Sequence, residues 1–417
     1  MNEFAGAEAA TADTPVGIEP PLFPMARRCP LDPPLDYARL RAEEPVSKVK
    51  LRATGREAWL LTRYEDVRAL LSHPAVSSNI KHPAYPLQMP IPEEILAQME
   101  LPMVSMDPPD LTVRRKLLLP EFTFKQMQAL RPLIQKLADE HVDAMLEEGK
   151  NGQVDLVQLL ALPVPSKVFC ELLGVPSEDA QLFQDYAVMT LNRDATPEER
   201  GANEYRMQAY LHQLVAAKEA APGADLISRL IARNQEGPML PQKDLISMIS
   251  VLLVGGFDTT ANMISLGIAT LLRHPEQLEQ IRRDPTLVPN AVEELLRYLS
   301  ISDSATVRVA MEDIQIGDVL VRAGEGVIAA NGAANRDDSV FAEPDQFDVQ
   351  RDTSEHIAFG HSVHQCLGQT LARIELEIVF TTLLQRIPGI RLAVPLEELP
   401  FKNDVIIYGL YSLPVTW

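Results

Sequence analysis

The sequence predicts a single domain that is mainly α-helical and carries a small β region. Residues 125–300 place apolar side chains at helical spacing, and residues 367–386 return to that spacing near the end of the chain. Between them, residues 307–330 alternate apolar and polar positions and are interrupted by glycines, which is typical of short antiparallel strands. No repeat or low-complexity linker divides the 417 residues. We therefore expect one domain over 21–417, preceded by a loose tail at 1–20.

Individual segments of the sequence predict particular strands, helices and loops. Residues 58–71, AWLLTRYEDVRALL, predict a strand that leads directly into a helix. Helices are predicted within 126–148, 154–173 and 204–220. Residues 73–109 are rich in proline and methionine and lack a clear period. Such a long irregular segment predicts either a functional wall over a hydrophobic ligand or a surface loop.

The composition excludes several classes of function. The chain is 46% hydrophobic and 23% charged, as in ordinary globular proteins. A net charge of −20 argues against nucleic acid and against anionic membrane surfaces as partners. The tail has no Lys or Arg, unlike a signal peptide, and the apolar stretch 245–257 is too short to span a bilayer. We expect a cytoplasmic monomer that contacts neither nucleic acid nor a membrane.

The cysteines restrict the metal chemistry. Cys29, Cys170 and Cys366 are far apart and odd in number, so they predict no disulfide framework and suit a reducing compartment. They also lack the paired spacing of zinc or iron–sulfur sites. A metal bound through cysteine must therefore be one that needs a single thiolate.

Cys366 has the most informative surroundings. Residues 359–368 read Phe-Gly-His-Ser-Val-His-Gln-Cys-Leu-Gly and precede a predicted helix. A helix start favours an anion and lowers the pKa of a thiol, and glycines allow a tight turn that brings backbone amides close to the sulfur. Taken alone, however, a cysteine in such a place is more often an inert buried residue.

A second unusual segment lies within the predicted helix 242–273, which would be about 48 Å long. Gly255, Gly256 and Asp258 are unfavourable in the interior of a buried helix. We expect the Thr259 hydroxyl to bond the carbonyl of Gly255 and open the helix locally. The glycines would leave space for a molecule such as dioxygen, and Asp258 with Thr259 would deliver protons to it. The alternative is a flexible glycine joint with an exposed Asp-Thr pair.

Together these two segments resemble motifs of the cytochrome P-450 family. Residues 359–368 are similar to its heme-binding loop, F-G-x-G-x-[HR]-x-C-x-G, and depart from it only at Ser362. Residues 255–259 are similar to its oxygen-activation motif, [AG]-G-x-[DE]-T. The resemblance implies the cytochrome P-450 fold, with heme b between the long central helix and the cysteine loop. Because serine is small, we expect the loop to tolerate Ser362 with mild strain.

The resemblance also implies roles for individual residues of the loop and of the first β segment. Cys366 would ligate the iron, and Phe359 would shield the sulfur. His364 would hydrogen-bond a heme propionate, Gly368 would belong to the cofactor-binding loop, and Arg308 would pair with a propionate.

A third cluster is expected to support folding. Glu294 and Arg297 are three residues apart on a predicted helix at 290–299 and share one face. Most such pairs are surface salt bridges that contribute little. Here they resemble the family's buried E-x-x-R pair, and Arg351 is the predicted third member.

A fourth segment, residues 106–116, resembles the family's D-P-P-[DE]-H-x-x-x-R run. Arg115 matches its propionate-binding arginine, whereas Leu111 replaces the usual histidine, so one hydrogen bond must be missing or come from elsewhere. Arg114 and Lys116 are either part of a basic patch that receives an acidic ferredoxin or a solvated charge run.

The function implied by the resemblance is that of a monooxygenase. Electrons from NAD(P)H would arrive through a ferredoxin reductase and a ferredoxin, and one atom of O₂ would enter a hydrophobic small molecule by hydroxylation or epoxidation. Val251, Val254, Ile301 and Ala305 are the predicted substrate-facing residues. Tailoring of secondary metabolites and xenobiotic oxidation are both compatible with this reading.

Two other functions remain as alternatives. The chain could be a family member that uses peroxide or a nitrogen oxide, or a heme sensor or carrier without turnover. The intact Asp258–Thr259 pair argues against both, because neither function needs staged proton delivery or gains from an acid in a buried helix.

Overall fold

The structure is a computed structural model that describes residues 19–417. The predicted loose tail, 1–20, lies outside the described residues except for its last two positions. The α-helices are α1 (Asp36–Glu43), α2 (Tyr64–Ser72), α3 (Glu93–Gln98), α4 (Asp110–Leu118), α5 (Phe124–Gln128), α6 (Arg131–Glu148), α7 (Pro163–Leu173), α8 (Ala180–Leu191), α9 (Pro197–Ala220), α10 (Leu226–Glu236), α11 (Gln242–Gly256), α12 (Asp258–Arg273), α13 (Pro275–Arg283), α14 (Val288–Leu299), α15 (Asn331–Ala334) and α16 (Gln369–Arg386).

The strands form three small sheets. They are β1 (Leu22–Phe23), β2 (Val46–Leu51), β3 (Glu57–Leu61), β4 (Val76–Ser77), β5 (Val154–Asp155), β6 (Val307–Ala310), β7 (Ile314–Ile316), β8 (Val319–Val321), β9 (Gly326–Ala329), β10 (Arg391–Leu392) and β11 (Pro414–Thr416). The largest sheet has the order β1-β2-β3-β9-β6-β4, and in it β3 and β9 run parallel while β6 and β9 run antiparallel. The other two sheets are β10-β11-β5 and the hairpin β7-β8.

This architecture confirms the predicted fold class and most of its elements. The strand-to-helix segment becomes β3 and α2, the alternating segment becomes β6 to β9, and the late helical segment becomes α16. The segment 73–109 is not wholly irregular, because it contains β4, α3 and a 3₁₀ turn. Its three short elements still leave most of the segment as loop.

The central helix is broken where its polar residues stand. α11 and α12 are separated at Phe257, whose φ of −112° departs from helical geometry. By length and composition alone the longer run Gln242–Arg273, which contains the apolar stretch 245–257, could cross a membrane. However, 72% of its most apolar window is buried inside the protein, as in the core helix of a globular domain. α12 packs against α16 and α14, which places the break deep in the helical core.

Glu294 on α14 is the centre of a buried ionic cluster. Both carboxylate oxygens accept hydrogen bonds from Arg297, at 2.7 and 2.9 Å, and neither side chain has any exposed surface. Arg351 joins at 3.2 Å, which confirms it as the third member, and the amide of Asp348 donates at 3.0 Å. Arg297 also donates to the carbonyls of Asn335 and Pro344, so α14 is tied to the chain segment that precedes the cysteine loop.

We expect Arg297→Met to lower the free energy of unfolding by about 3–5 kcal/mol, because it leaves the Glu294 carboxylate buried without its main partner. Chemical denaturation of the variant measures the loss. The matched control is Arg283→Met, which removes an exposed pair with Glu279 and should cost no more than about 0.5 kcal/mol. Equal losses in the two variants would contradict a structural role for the cluster.

Candidate active site

The cysteine loop keeps its tight turns in spite of the serine. Gly360 and Ser362 both adopt left-handed backbone conformations, with φ of 72° and 62°. A non-glycine residue in this region costs about 1–2 kcal/mol, so Ser362 stores the mild strain that the sequence predicts. The Cys366 amide donates to the Phe359 carbonyl at 2.9 Å and closes the loop. The Phe359 ring lies beneath the guanidinium of Arg373, 4.6 Å from its centroid.

The Cys366 sulfur is enclosed by protein and yet faces open space. Burial raises the pKa of its thiol, whereas the backbone amides of Gly368 and Gln369 and the charges of Arg115 and Arg373 favour the thiolate. The expectation that the helix start alone lowers this pKa is therefore wrong, because desolvation outweighs it. The side chain is nevertheless exposed. Since dense protein surrounds it, that exposed surface faces an internal space.

Three basic side chains converge on the same space. Arg308 on β6 is buried and Arg115 on α4 is half-buried, and the charge of Arg115 is felt at Cys366. Burial, followed by the charges of Arg308 and Arg115, lowers the pKa of His364 to about 4, so its imidazole is neutral at pH 7. Among residues 19–417, no acidic side chain forms an ion pair with Arg115 or Arg308. The nearest acidic charge acting on Arg308 is that of Asp107, which lies beyond ion-pair distance.

His364 is oriented by a partner that the sequence did not reveal. Its Nε2 atom lies 2.9 Å from the Ser78 hydroxyl, and the Ser78 amide donates to Asp107 at 2.7 Å. Leu111, which occupies the usual histidine position of the family motif, is buried in the core instead. Only a fold that brings β4 beside the cysteine loop creates this contact, so no local sequence signal could have identified Ser78.

These residues fit a heme group. The described residues contain no cluster of three or more His, Cys, Asp and Glu side chains that could hold a bare metal ion. A cofactor that brings its own ring nitrogens needs only one protein thiolate, which Cys366 supplies. Heme b also carries two propionates, and the unpaired guanidiniums of Arg115 and Arg308 match such anionic groups. The neutral imidazole of His364 can donate a further hydrogen bond.

The break in the central helix has the predicted hydrogen bond. The Thr259 hydroxyl donates to the Gly255 carbonyl at 2.8 Å. Gly255 is exposed although it lies in a core helix, and a Cβ added there would meet no atom within 4 Å. Gly256 behaves differently, because an added Cβ would lie 2.0 Å from the ring of Phe169. The expectation that both glycines leave open space is therefore correct for Gly255 and wrong for Gly256, which permits close packing.

Asp258 is bound on a different side of the helix from Thr259. Lys402 Nζ donates to its Oδ1 atom at 3.0 Å, and Asn262 Nδ2 donates to its Oδ2 atom at 2.9 Å. Lys402 also donates to Asn262 Oδ1 at 2.9 Å, which closes a three-membered network. Lys402 and Asn262 were not predicted from the sequence. A lysine within the apolar stretch LPFKNDVIIYG was the available signal.

A further acid lies behind the helix break. Glu375 on α16 is fully buried, and neither carboxyl oxygen has a partner with hydrogen-bonding geometry. Burial raises its pKa to about 8, and the neighbouring Thr260 hydroxyl offsets only part of that effect. Glu375 is therefore mostly a neutral carboxylic acid at pH 7.

The predicted substrate residues fall into two groups. Ile301 lines a cavity of about 850 Å³, which we call the Ile301 cavity, and Ala305 is exposed in the adjoining turn. The cavity wall also includes the 403–406 segment, and the Tyr408 amide donates to the Ile301 carbonyl at 2.9 Å. Val251 and Val254 are half-buried on α11 and pack against the helical core. Neither of them lines this cavity.

The proposed basic patch on α4 is smaller than expected. Arg114 is paired with Asp244 at 3.0 Å, and only 12% of its side chain is exposed. Lys116 is exposed, as a docking residue for an acidic partner would be. The interpretation of Arg114 as part of a surface patch is therefore wrong.

Comparison with known proteins agrees with this geometry. A family model described as Cytochrome P450 matches residues 203–388. Over 409 residues the chain is 42% identical to the vitamin D3 dihydroxylase of Streptomyces griseolus, with 98% of this chain and 99% of that protein covered. Over 398 residues it is 44% identical to the pentalenic acid synthase of Streptomyces avermitilis, with 95% and 98% covered.

The fold also has close counterparts among solved structures. The structure of CYP105P1 in complex with filipin I superimposes with a TM-score of 0.87 at 44% sequence identity. The match covers 96% of this chain and 99% of that one.

Proposed function

The chain belongs to the cytochrome P450 family, and we propose that it inserts one oxygen atom from O₂ into a C–H or C=C bond of a hydrophobic small molecule. Members of this family are oxidoreductases of the monooxygenase class, with heme b as cofactor and NAD(P)H acting through redox partners. For this chain, the proposed redox partners are a ferredoxin and a ferredoxin reductase. Its proposed location is the cytoplasm.

The observation that carries the proposal is the enclosed but exposed Cys366 sulfur, with the charge of Arg115 acting on it and with Arg308 close to His364 of the same loop. In this proposal Cys366 holds the iron, while Arg115, Arg308 and His364 hold the propionates. Heme b, when bound through a thiolate, supplies the one-electron and dioxygen chemistry of the reaction. The protein supplies orientation, proton delivery and exclusion of water.

Thr259 is the residue proposed to manage protons in the groove at Gly255. Its hydroxyl proton is donated to the Gly255 carbonyl, so its two lone pairs remain free to accept hydrogen bonds. The open space at Gly255 allows a water or dioxygen molecule to approach that oxygen. Asp258, on the neighbouring helix position, is the proposed acid that renews the protons.

The Ile301 cavity supports the proposed kind of substrate. Its volume of about 850 Å³ lies within the range of pockets that enclose drug-sized molecules. Ile301, Val405 and Ile406 supply apolar surface, whereas Arg193 and Asp303 supply charge. Such a cavity suits a hydrophobic molecule with a few polar groups. The pentalenic acid synthase similarity favours secondary metabolism over xenobiotic oxidation.

We expect the reduced protein with CO to show the red-shifted Soret band of a thiolate-ligated heme. Cys366→Ala should abolish this band, and Cys366→His should retain heme without it, because the sulfur ligand is gone. The matched control is Cys170→Ala, which removes a buried thiol whose pKa burial raises to about 11 and should leave the band intact. A Cys366 variant that keeps the band would overturn the assignment of the ligand.

We expect Thr259→Ala to lower product formed per NAD(P)H by up to about 10²-fold and to raise peroxide release, because a proton-transfer group is lost. The assay uses a ferredoxin, its reductase and a compound that shifts the heme spin state. Thr270→Ala is the matched control, since it removes an equivalent hydroxyl-to-carbonyl bond of 2.8 Å on the same helix. Unchanged coupling in Thr259→Ala would contradict the proton-management role.

A further inference from the structure

Lys402 is a buried cation whose position the established chemistry of the family motifs does not explain. Its side chain is 7% exposed and that of Asp258 is 4% exposed, so their 3.0 Å contact is a buried ion pair. A buried lysine without a partner would be costly, and Asp258 and Asn262 accept two of its three N–H donors. These contacts leave the third N–H available for water.

The backbone around Lys402 allows its side chain to reach Asp258. Its amide donates to the Gly409 carbonyl at 2.9 Å, and Phe401 and Leu410 form an antiparallel bridge beside it. A Cβ on Gly409 would lie 2.1 Å from Asn262 Oδ1. Only glycine at 409 therefore lets the C-terminal hairpin, residues 401–410, approach α12 closely enough for Lys402 to reach Asp258.

Lys402 also connects Asp258 with a second cavity, which we call the Tyr411 cavity. This cavity has a volume of about 520 Å³; most of its wall is apolar surface, and the polar side chains in it include Gln158, Gln184, Asp185, Asn203, Arg206 and Tyr411. Lys402 lines this cavity as well as the Ile301 cavity. Asp258 lines neither of these two cavities, so a proton that enters through the Tyr411 cavity meets Lys402 first.

The helix geometry separates the acid from the hydroxyl. Consecutive residues of an α-helix are about 100° apart around its axis, and Asp258 is bonded to Asn262 on its own face while Thr259 is bonded to Gly255. Among the described residues no hydrogen bond joins Asp258 to Thr259. Asp258 is thus held by Lys402 and Asn262 and not by Thr259, so a proton that Asp258 passes on has to be replaced through one of these two contacts.

We propose that Lys402 is the positioning residue through which protons from the Tyr411 cavity reach Asp258. In this step the N–H bond of the Lys402 ammonium breaks and an O–H bond forms on Asp258 Oδ1. The neutral amine then takes a proton from water in the Tyr411 cavity, and the hydroxide left behind is neutralised by a proton from bulk solvent. The net change is the movement of one proton from solvent to Asp258, with no oxidation or reduction. The inference rests on the proposed monooxygenase function.

Two substitutions at Lys402 separate proton transfer from simple charge pairing. Lys402→Met keeps the length of the side chain and removes the ammonium. Lys402→Arg keeps the positive charge and the hydrogen bonds, but a guanidinium does not release its proton in proteins. The matched control is Lys218→Met, which breaks a half-buried pair with Asp225, 2.7 Å apart, that has no hydrogen bond to Lys402 or Asp258.

The first measurement is infrared spectroscopy of the holoprotein at pH 7. Lys402→Met should show a new protonated-carboxyl band that disappears in Lys402→Met/Asp258→Asn, because an unpaired buried carboxylate takes up a proton. Glu375→Gln identifies the band of the other neutral buried acid. Wild type, Lys402→Arg and Lys218→Met should lack the new band. Its absence from Lys402→Met would overturn the proposed control of Asp258 by Lys402.

The second measurement is turnover in H₂O and D₂O with the same electron-transfer proteins. Product formation should fall on the order of 10²-fold in both Lys402 variants, with a larger solvent isotope effect, and should be unchanged in Lys218→Met. Full rescue by Lys402→Arg would overturn the proton-transfer step and leave Lys402 as a charge partner only. Wild-type rates in Lys402→Met would overturn the whole inference. A wild-type protein that forms no product would instead count against the proposed function.

Discussion

A buried charge must be paired or it destabilises the fold, and this constraint organises the structure from its scaffold to its site. In the scaffold, Glu294 and Arg297 satisfy each other without any contact with solvent. In the central helix, Asp258 is satisfied by Lys402 from the C-terminal hairpin. Arg115 and Arg308 depart from this pattern, because no described acidic side chain forms an ion pair with either of them. By the same rule, we propose that these two bind the anionic groups of a cofactor.

The proposed site lies between the cysteine loop and the break in the central helix, and both have irregular backbone. On one side, the loop that carries Cys366 has left-handed backbone at Gly360 and Ser362, and the amides of Gly368 and Gln369 at the following helix start favour the thiolate. On the other side, Thr259 opens the central helix beside Gly255, whose missing side chain leaves free space. Packing of α12 against α16 holds both sides in one helical core. The residues proposed to carry the chemistry therefore lie where the helical core departs from regular secondary structure.

The sequence allowed prediction of those features that are local in the chain. Four-residue spacing was enough to predict the Thr259–Gly255 bond, and the family resemblance added the ionic cluster with Arg351. Contacts between distant segments escaped prediction, because spacing carries no information about them. Lys402 is 144 residues from Asp258, and the role of Gly256 depends on Phe169 of another helix. The pKa of Cys366 was misjudged for a related reason, since enclosure by the whole fold outweighs the local helix start.

In this account, Arg115 and Arg308 form no ion pair within the protein because they bind the anionic groups of heme b. The most direct test is the amount of heme retained per purified chain in the double variant Arg115→Met/Arg308→Met. Because neither cation forms an ion pair with a described acidic side chain, their removal should leave the protein folded, as circular dichroism would report, while heme retention falls severely. A folded double variant that keeps the wild-type ratio of heme to protein would contradict the account.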